Sequence, residues 1–160
     1  MTKLLSWLAS FLLFTLPLVA QDTTQHRIEG RENAPNQLSK PYVILISADG
    51  FRSDFADKYE AAYLKSMQSV GVSAPSMIPS YPTLTFPNHY TLVTGLYPSH
   101  HGLVNNRYFD PSSRQEYSMG NKKMVAEGKW YGGTPLWVLA EKQGMLAASN
   151  FWVASEADIQ

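Results

Sequence analysis

Hydrophobic residues occur along the chain in runs that predict alternating strands and helices. Val43 to Ile46 is a continuous apolar run rich in β-branched side chains, which is typical of a strand buried on both faces of a parallel sheet. Apolar side chains then recur at helical spacing over residues 53–70, and Gly71 ends this pattern. Residues 72–78 alternate between apolar and polar side chains and predict a second, short strand.

The second half of the chain continues the alternation with a hairpin, a polar loop, a helix and a strand. These elements are predicted at residues 103–117, 120–133, 134–144 and 145–153. The hairpin turn is Asp110-Pro111-Ser112-Ser113, and Thr134 and Pro135 have the pattern of a helix N-cap and a first helical residue. The alternation predicts an α/β fold, a three-layer sandwich around a mainly parallel sheet.

The segment around Thr85 leads into a further predicted helix, which ends at Gly95, and it carries a candidate site. Pro87 is tolerated in a first helical turn, and the apolar residues that follow it predict a short helix. The hydroxyl of Thr85 would then lie at the helix N-terminus, beside free N–H groups and the positive end of the helix dipole, where a phosphate is stabilised. The alternative is that Thr85 serves only as the N-cap.

An acidic residue follows the first predicted strand. Ser47-Ala48-Asp49-Gly50 comes directly after the apolar run, and open α/β sheets carry their active sites at the carboxyl ends of strands. The carboxylate of Asp49 suits a hard or borderline metal ion such as zinc. The alternative is that Asp49 caps the helix that follows it.

The first 40 residues have the pattern of an export signal followed by a linker. Residues 1–20 contain Lys3, then an uncharged and mostly apolar run, then Ala20 before a polar stretch, which predicts a cleaved secretory signal peptide. The alternative is an uncleaved membrane anchor. Residues 21–40 are polar and predict a flexible lead-in, and the folded domain is expected over residues 41–160. We therefore expect an exported protein, periplasmic or secreted, with no membrane span once the leader is removed.

The charge balance and the cysteine count limit the classes of partner and of cross-link. The sequence has 13 basic and 13 acidic residues, and removal of residues 1–20 takes one basic residue and leaves a net charge of −1. This balance favours neither nucleic acid nor an anionic membrane as a partner. The sequence contains no cysteine, which excludes disulfides and a lipoprotein attachment site within it.

These stretches resemble the nucleotide pyrophosphatase/phosphodiesterase family, the type I phosphodiesterases of the alkaline phosphatase superfamily. The matching segments are residues 43–52, 82–90, 94–98, 101–106, 132–137 and 150–152, within a resemblance over roughly residues 40–160. Thr85-Phe86-Pro87-Asn88-His89 is the most specific of them. The resemblance implies an alkaline-phosphatase-like fold and a catalytic domain more than twice this length. Residues 41–160 are therefore identified as its N-terminal part, so that the fold is expected to be incomplete.

The resemblance also implies a mechanism and a set of site residues. In the family, a threonine attacks phosphorus and forms a covalent phosphothreonine that water hydrolyses, and two zinc ions flank the phosphate. By resemblance, Thr85 is the nucleophile, and Asp49 and Thr85 ligate one zinc ion. Asn106 matches the asparagine that hydrogen-bonds a phosphate oxygen, and Phe86 matches the aromatic residue that stacks on the nucleotide base. Metal help suits the chemistry, because a threonine hydroxyl is a weak nucleophile until its pKa is lowered.

The rest of the family's zinc ligands, two aspartates and three histidines, are expected downstream of the matched region. The histidines of this sequence do not stand in matching contexts: His26, His89, His100 and His101. Asn88 and His89 are interpreted as structural parts of the motif. The 160-residue chain by itself is not expected to complete a two-zinc site.

Three functions are compatible with these motifs. The first is a nucleotide pyrophosphatase/phosphodiesterase acting on a small nucleotide or another phosphodiester. The alternatives are a related phosphomonoesterase and a catalytically inactive exported binding domain or fragment. The sequence lacks the C/S-x-P-x-R motif of sulfatases, the G-x-S-x-G motif of serine hydrolases and the G-x-x-x-x-G-K-[ST] loop of P-loop enzymes.

Overall fold

The structure is a computed structural model that describes residues 28–159. The predicted signal peptide, residues 1–20, and the first part of the predicted lead-in lie outside the described residues. The chain divides into two units, residues 1–31 and residues 32–160. Every helix and strand of the described residues belongs to the second unit.

The second unit combines short helices with a two-stranded antiparallel sheet. The α-helices are α1 Phe55–Lys58, α2 Ala62–Val70, α3 Thr85–Thr94, α4 Pro98–His101, α5 Lys122–Val125 and α6 Leu136–Lys142. The strands are β1 Arg107–Asp110 and β2 Gln115–Ser118, and 3-10 turns lie at Pro35–Gln37 and Gly128–Trp130. Among the described residues, no helix is long and apolar enough to cross a membrane.

Helix α3 packs one of its faces into the core. Tyr90 and Val93, which are three residues apart and so share one face, are buried in the core. Gly95 ends the helix in the left-handed conformation, with φ of 70°, and its N–H bonds to the carbonyl of Thr91 at 2.9 Å. The predicted helix is confirmed, and it begins at Thr85 itself. Leu84 occupies the N-cap position, so the alternative role of Thr85 as N-cap is wrong.

The core is largely aromatic and lies against the inner face of α3. Its buried apolar members are Tyr90, Val93, Leu103, Tyr117, Val125, Trp130, Tyr131, Val153 and Ala154. The rings of Tyr90 and Tyr131 meet edge to face, with centroids 5.3 Å apart, and those of Tyr117 and Trp130 are 5.4 Å apart. This packing fixes the middle of α3, and in its first turn Pro87 is buried while Thr85 and Phe86 are half-buried.

The hairpin and its turn also match the sequence pattern. Strand β1 pairs with β2 from Arg107 opposite Ser118 to Asp110 opposite Gln115. The carboxylate of Asp110 accepts hydrogen bonds from the backbone N–H and hydroxyl groups of Ser112 and Ser113. These bonds stabilise the ionised carboxylate and lower the pKa of Asp110 to about 2.

Three predicted strands are not formed among the described residues, at residues 43–46, 72–78 and 145–153. A strand exists only when a neighbouring strand accepts its hydrogen bonds, and in residues 28–159 the first apolar run has no such neighbour. Its side chains are correspondingly open, with Val43, Ile44 and Ile46 exposed to 82–86%. The mainly parallel three-layer sandwich is therefore not confirmed by this chain.

Three further sequence predictions need local correction. The helical pattern over residues 53–70 is split into α1 and α2, because Glu60 between them adopts a positive φ of 48° that no α-helix contains. Pro135 is the N-cap of α6 rather than its first residue. The loop predicted at residues 120–133 contains α5, whose N-terminal N–H groups are capped by the side chain of Asn121.

Part of the predicted lead-in is held by hydrogen bonds to the end of α6. The N–H of Ala34 donates to the carbonyl of Gly144 at 2.7 Å. The side-chain amide of Gln37 donates to the carbonyl of Gln143 at 3.0 Å. Residues 33–37 are thus joined to the folded unit by specific contacts.

Candidate active site

Thr85 and Asp49 meet at the first turn of α3. The hydroxyl of Thr85 donates a hydrogen bond to Oδ2 of Asp49 at 3.2 Å, across 36 residues of sequence. Thr85 is half-buried, and Asp49 lies on the exposed segment that follows residues 43–46. A carboxylate oxygen and a hydroxyl oxygen therefore stand side by side at the surface. The alternative that Asp49 caps the next helix is wrong, since α1 begins after Asp54.

Asn106 is brought to the same turn by the hairpin. Its backbone carbonyl accepts a hydrogen bond from the N–H of Met119 at 2.9 Å, which extends the pairing of β1 and β2 by one position. Its side-chain Oδ1 accepts the backbone N–H of Phe86 at 3.0 Å. Because Oδ1 is used in this way, the Nδ2 amino group is the part of the side chain that carries donors for a ligand.

Phe86 follows Thr85 in the first turn of α3 and lies at the edge of the core. It is half-buried, and it packs against the aromatic core from its margin. The side chain is therefore only partly enclosed by the fold.

The N-terminus of α3 has fewer free backbone N–H groups than the sequence suggests. Pro87 has no N–H, and the N–H of Phe86 is taken by Asn106. The N–H of Asn88 bonds to the carbonyl of Leu84 at 3.1 Å. Of the first three helical residues, only Thr85 keeps an N–H for a ligand or solvent. A phosphate at this site would depend more on side chains than on backbone donors.

His89 and Ser47 add a second contact between α3 and the Asp49 segment. Nδ1 of His89 lies 2.8 Å from the carbonyl oxygen of Thr85, and Nε2 lies 3.0 Å from Oγ of Ser47. Trp152 braces His89 by donating from its indole N–H to the His89 carbonyl at 3.2 Å. Sequence reasoning missed Ser47. The signals that could have found it are its position two residues before Asp49 and the four-residue spacing of Thr85 and His89.

Asn88 and His101 are engaged inside the fold. Oδ1 of Asn88 accepts the N–H of Ser80 at 3.1 Å and holds the loop that precedes α3. His101 is fully buried, its Nδ1 accepts the N–H of Leu103 at 3.2 Å, and its Nε2 lies 3.1 Å from the hydroxyl of Thr91. Burial lowers the pKa of His101, which favours the neutral form of the ring. Both of its nitrogens are used, which agrees with leaving it out of the zinc ligands.

The donor set at this turn fits part of a metal site. Asp49 and Thr85 supply two adjacent oxygen donors of the kind that zinc and harder divalent ions accept. Within residues 28–159, no group of three or more His, Cys, Asp or Glu side chains is arranged to hold a metal ion. A four-coordinate zinc site would therefore need further ligands besides this pair.

Comparison with known proteins identifies the family. The family model for type I phosphodiesterase / nucleotide pyrophosphatase matches residues 43–160. An uncharacterised pyrophosphatase/phosphodiesterase of Schizosaccharomyces pombe is 37% identical over 132 residues, which cover 82% of this chain and 27% of that protein. Ectonucleotide pyrophosphatase/phosphodiesterase family member 1 of Homo sapiens is 36% identical over 127 residues, 78% of this chain and 14% of that protein. A venom phosphodiesterase of Naja atra is 37% identical over 127 residues, 78% of this chain and 15% of that protein.

The matches cover most of this chain but only a small part of each relative. The aligned part spans 27% or less of the length of these three relatives. The names of the family and of these relatives describe phosphodiesterases and pyrophosphatases, which are hydrolases. By the extent of the match to the family model, the chain belongs to the type I phosphodiesterase / nucleotide pyrophosphatase family.

Proposed function

We propose that this protein is an exported, zinc-dependent nucleotide pyrophosphatase/phosphodiesterase that acts through a covalent phosphothreonine on Thr85. The observation that carries the proposal is the hydrogen bond from the Thr85 hydroxyl to Asp49, at the first turn of α3. It joins a nucleophile to a carboxylate that attracts its proton and can share a metal ion with it.

Thr85 and Asp49 begin the reaction together. The hydroxyl oxygen of Thr85 forms a bond to phosphorus and releases its proton to solvent. The bond between phosphorus and the leaving-group oxygen breaks, and that oxygen keeps the bonding electron pair and takes up a proton. Zinc held by Asp49 and Thr85 would lower the pKa of this hydroxyl. A water molecule then attacks phosphorus, the bond to the Thr85 oxygen breaks, and the hydroxyl is regenerated with release of a phosphomonoester.

Asn106 and Phe86 orient the substrate. The Nδ2 amino group of Asn106 is held near Thr85 by the bond between its Oδ1 and the Phe86 N–H, and it donates to a nonbridging phosphate oxygen. The Phe86 ring stacks on the nucleotide base. Stacking accepts any base, so breadth toward nucleotides is expected from this contact.

Export is part of the proposal. Residues 1–20 have the composition of a secretory leader, and one similar protein is a venom phosphodiesterase. The expected location is the periplasm or the extracellular medium. Cell fractionation, with N-terminal sequencing of the mature protein, tests both the location and cleavage after Ala20.

The function is tested by comparing two substrates with the complete gene product in the presence of zinc. We expect cleavage of p-nitrophenyl thymidine monophosphate, a diester, to exceed that of p-nitrophenyl phosphate. Thr85→Ala should abolish diester cleavage, and a chelator should do so reversibly. Thr83→Ala, at an exposed threonine two residues earlier, is the matched control and should keep wild-type activity. Preference for the monoester, or activity that survives Thr85→Ala, would refute the proposal.

The incomplete donor set favours a second candidate for the isolated chain, which is an inactive half-site. Asp49 and Thr85 give two oxygen donors where a structural or catalytic zinc site uses at least three protein ligands. Zinc titration of the 160-residue chain separates the possibilities. Weak or absent binding supports the half-site, and tight stoichiometric binding would contradict it.

A further inference from the structure

We propose that His89 is a positioning residue, which holds the segment carrying Asp49 in register with Thr85 through a hydrogen bond to Ser47. The inference rests on the proposed function of Thr85 and extends it to a residue interpreted from the sequence as merely structural. It assigns His89 one particular tautomer and Ser47 one particular direction of hydrogen bonding.

The tautomer follows from the partner of each ring nitrogen. The carbonyl oxygen of Thr85 can only accept, so the 2.8 Å contact requires a proton on Nδ1 of His89. In the neutral ring, Nε2 then carries a lone pair and no proton. The hydroxyl of Ser47 must therefore donate to Nε2 across their 3.0 Å separation. The chain of bonds runs from the Ser47 hydroxyl through the imidazole to the Thr85 carbonyl.

This arrangement matters because the Asp49 segment has little else to hold it. Residues 43–50 are exposed, and they form no strand with any other described residue. Within residues 28–159, two side-chain hydrogen bonds join the segment to α3, one from Thr85 to Asp49 and one from Ser47 to His89. The first of these would be exchanged during reaction, when the Thr85 hydroxyl gives up its proton. The second does not involve the reacting atoms, so it can keep the carboxylate near Thr85 throughout.

His89 is itself held firmly enough to act as an anchor. Its backbone lies in α3, and the indole of Trp152 donates to its carbonyl at 3.2 Å. The rings of the two residues also meet edge to face, with centroids 5.9 Å apart. With both ring nitrogens occupied, His89 has no lone pair left for a metal ion, which separates this role from that of a zinc ligand.

The first test measures catalysis by the complete gene product on p-nitrophenyl thymidine monophosphate. Ser47→Ala removes the donor, and His89→Asn keeps an N–H near the Thr85 carbonyl but removes the acceptor for Ser47. Each should lower kcat by about 10- to 100-fold, as loss of an outer-sphere support commonly does. KM and the unfolding temperature should change little. Ser47→Thr, which retains the hydroxyl, should restore kcat, and the Ser47→Ala/His89→Asn pair should be no worse than either single variant.

The matched controls use another serine and histidine from the same sequence. Ser99 and His100 are both exposed and lie on α4. Ser99→Ala and His100→Asn should leave kcat at the wild-type level. A loss of kcat in these controls equal to that at Ser47 and His89 would overturn the positioning role.

The second test does not depend on activity. Long-range 1H–15N correlation of histidine-labelled protein reports which ring nitrogen is protonated. We expect His89, assigned by its loss in His89→Asn, to be protonated on Nδ1, with a shift of its Nε2 signal in Ser47→Ala. Protonation on Nε2, or wild-type kcat in Ser47→Ala, would overturn this inference even where Thr85→Ala is inactive. Activity that survives Thr85→Ala would instead refute the proposed function, and the tautomer would still decide the hydrogen-bond assignment.

Discussion

The side-chain oxygen of Asn106 accepts the backbone N–H of Phe86 at 3.0 Å, so one residue both completes the first turn of α3 and presents its amide beside Thr85. The bond fixes the orientation of the amide, because exchanging Oδ1 and Nδ2 would place a donor against a donor. The capping bond of Asn106 and the phosphate contact proposed for it therefore use different atoms of the same side chain.

This division predicts that Asn106→Asp separates folding from catalysis. The carboxylate still accepts the Phe86 N–H, and a negative charge at a helix N-terminus is favourable, so the unfolding temperature should be kept or raised. Loss of the Nδ2 donors, with a charge that repels phosphate, should lower kcat/KM about 10²- to 10³-fold. Steady-state kinetics and thermal unfolding of the complete gene product check both parts. Asn105→Asp, at the exposed preceding residue, is the control and should keep its activity.

Phe86→Leu should weaken nucleotide substrates selectively. A stacked base contributes about 1–3 kcal/mol, so KM for p-nitrophenyl thymidine monophosphate should rise roughly tenfold or more. KM for bis(p-nitrophenyl) phosphate, which has no base, should rise far less, and Phe86→Tyr should resemble the wild type. Phe109→Leu, at an exposed phenylalanine of β1, is the matched control. Equal effects on both substrates would show that Phe86 acts only through its packing on the core.

The buried tyrosines should respond oppositely to loss of their hydroxyls. The Tyr131 hydroxyl donates to the carbonyl of Val125 at 3.0 Å and accepts from Tyr117 at 3.0 Å. Tyr131→Phe leaves both partners unpaired and should lower the free energy of unfolding by about 1–3 kcal/mol. The Tyr90 hydroxyl is buried without a hydrogen-bond partner among the described residues. Tyr90→Phe should therefore leave stability unchanged or raise it by up to about 1 kcal/mol. Chemical denaturation measures both, and a large loss in Tyr90→Phe would contradict the structure.

His101 should make the stability of the unit depend on pH. Burial lowers the pKa of its imidazole in the folded state, so the unfolded state binds more protons as the pH falls through the ordinary histidine range. The stabilisation is complete above the unfolded pKa of about 6.5 and declines as the pH falls below it. Denaturation between about pH 7.5 and 5.5 should show this decline, and His101→Gln should flatten it. His100→Gln, at the exposed neighbour, should leave the slope unchanged.

Elements defined by neighbours in sequence could be predicted without the structure. Helix α3 depends on a proline in its first turn, an apolar face and Gly95, all close together in the chain. The hairpin depends on Asp110 and the two serines that bond to its carboxylate. The strand at residues 43–46 could not be decided in this way, because a strand is completed by hydrogen bonds to a partner elsewhere in the chain.

Short motifs were enough to identify the family, the candidate nucleophile Thr85 and the carboxylate of Asp49, because they carry the residue types that the chemistry requires. Only the folded structure showed that Thr85 contacts Asp49 across 36 residues. It also showed that the side-chain oxygen of Asn106 accepts a backbone N–H of α3. The fold also showed that Ser47 reaches His89 and that little free backbone remains at the start of α3. These contacts depend on how separate segments pack against the aromatic core, and no local pattern specifies such packing.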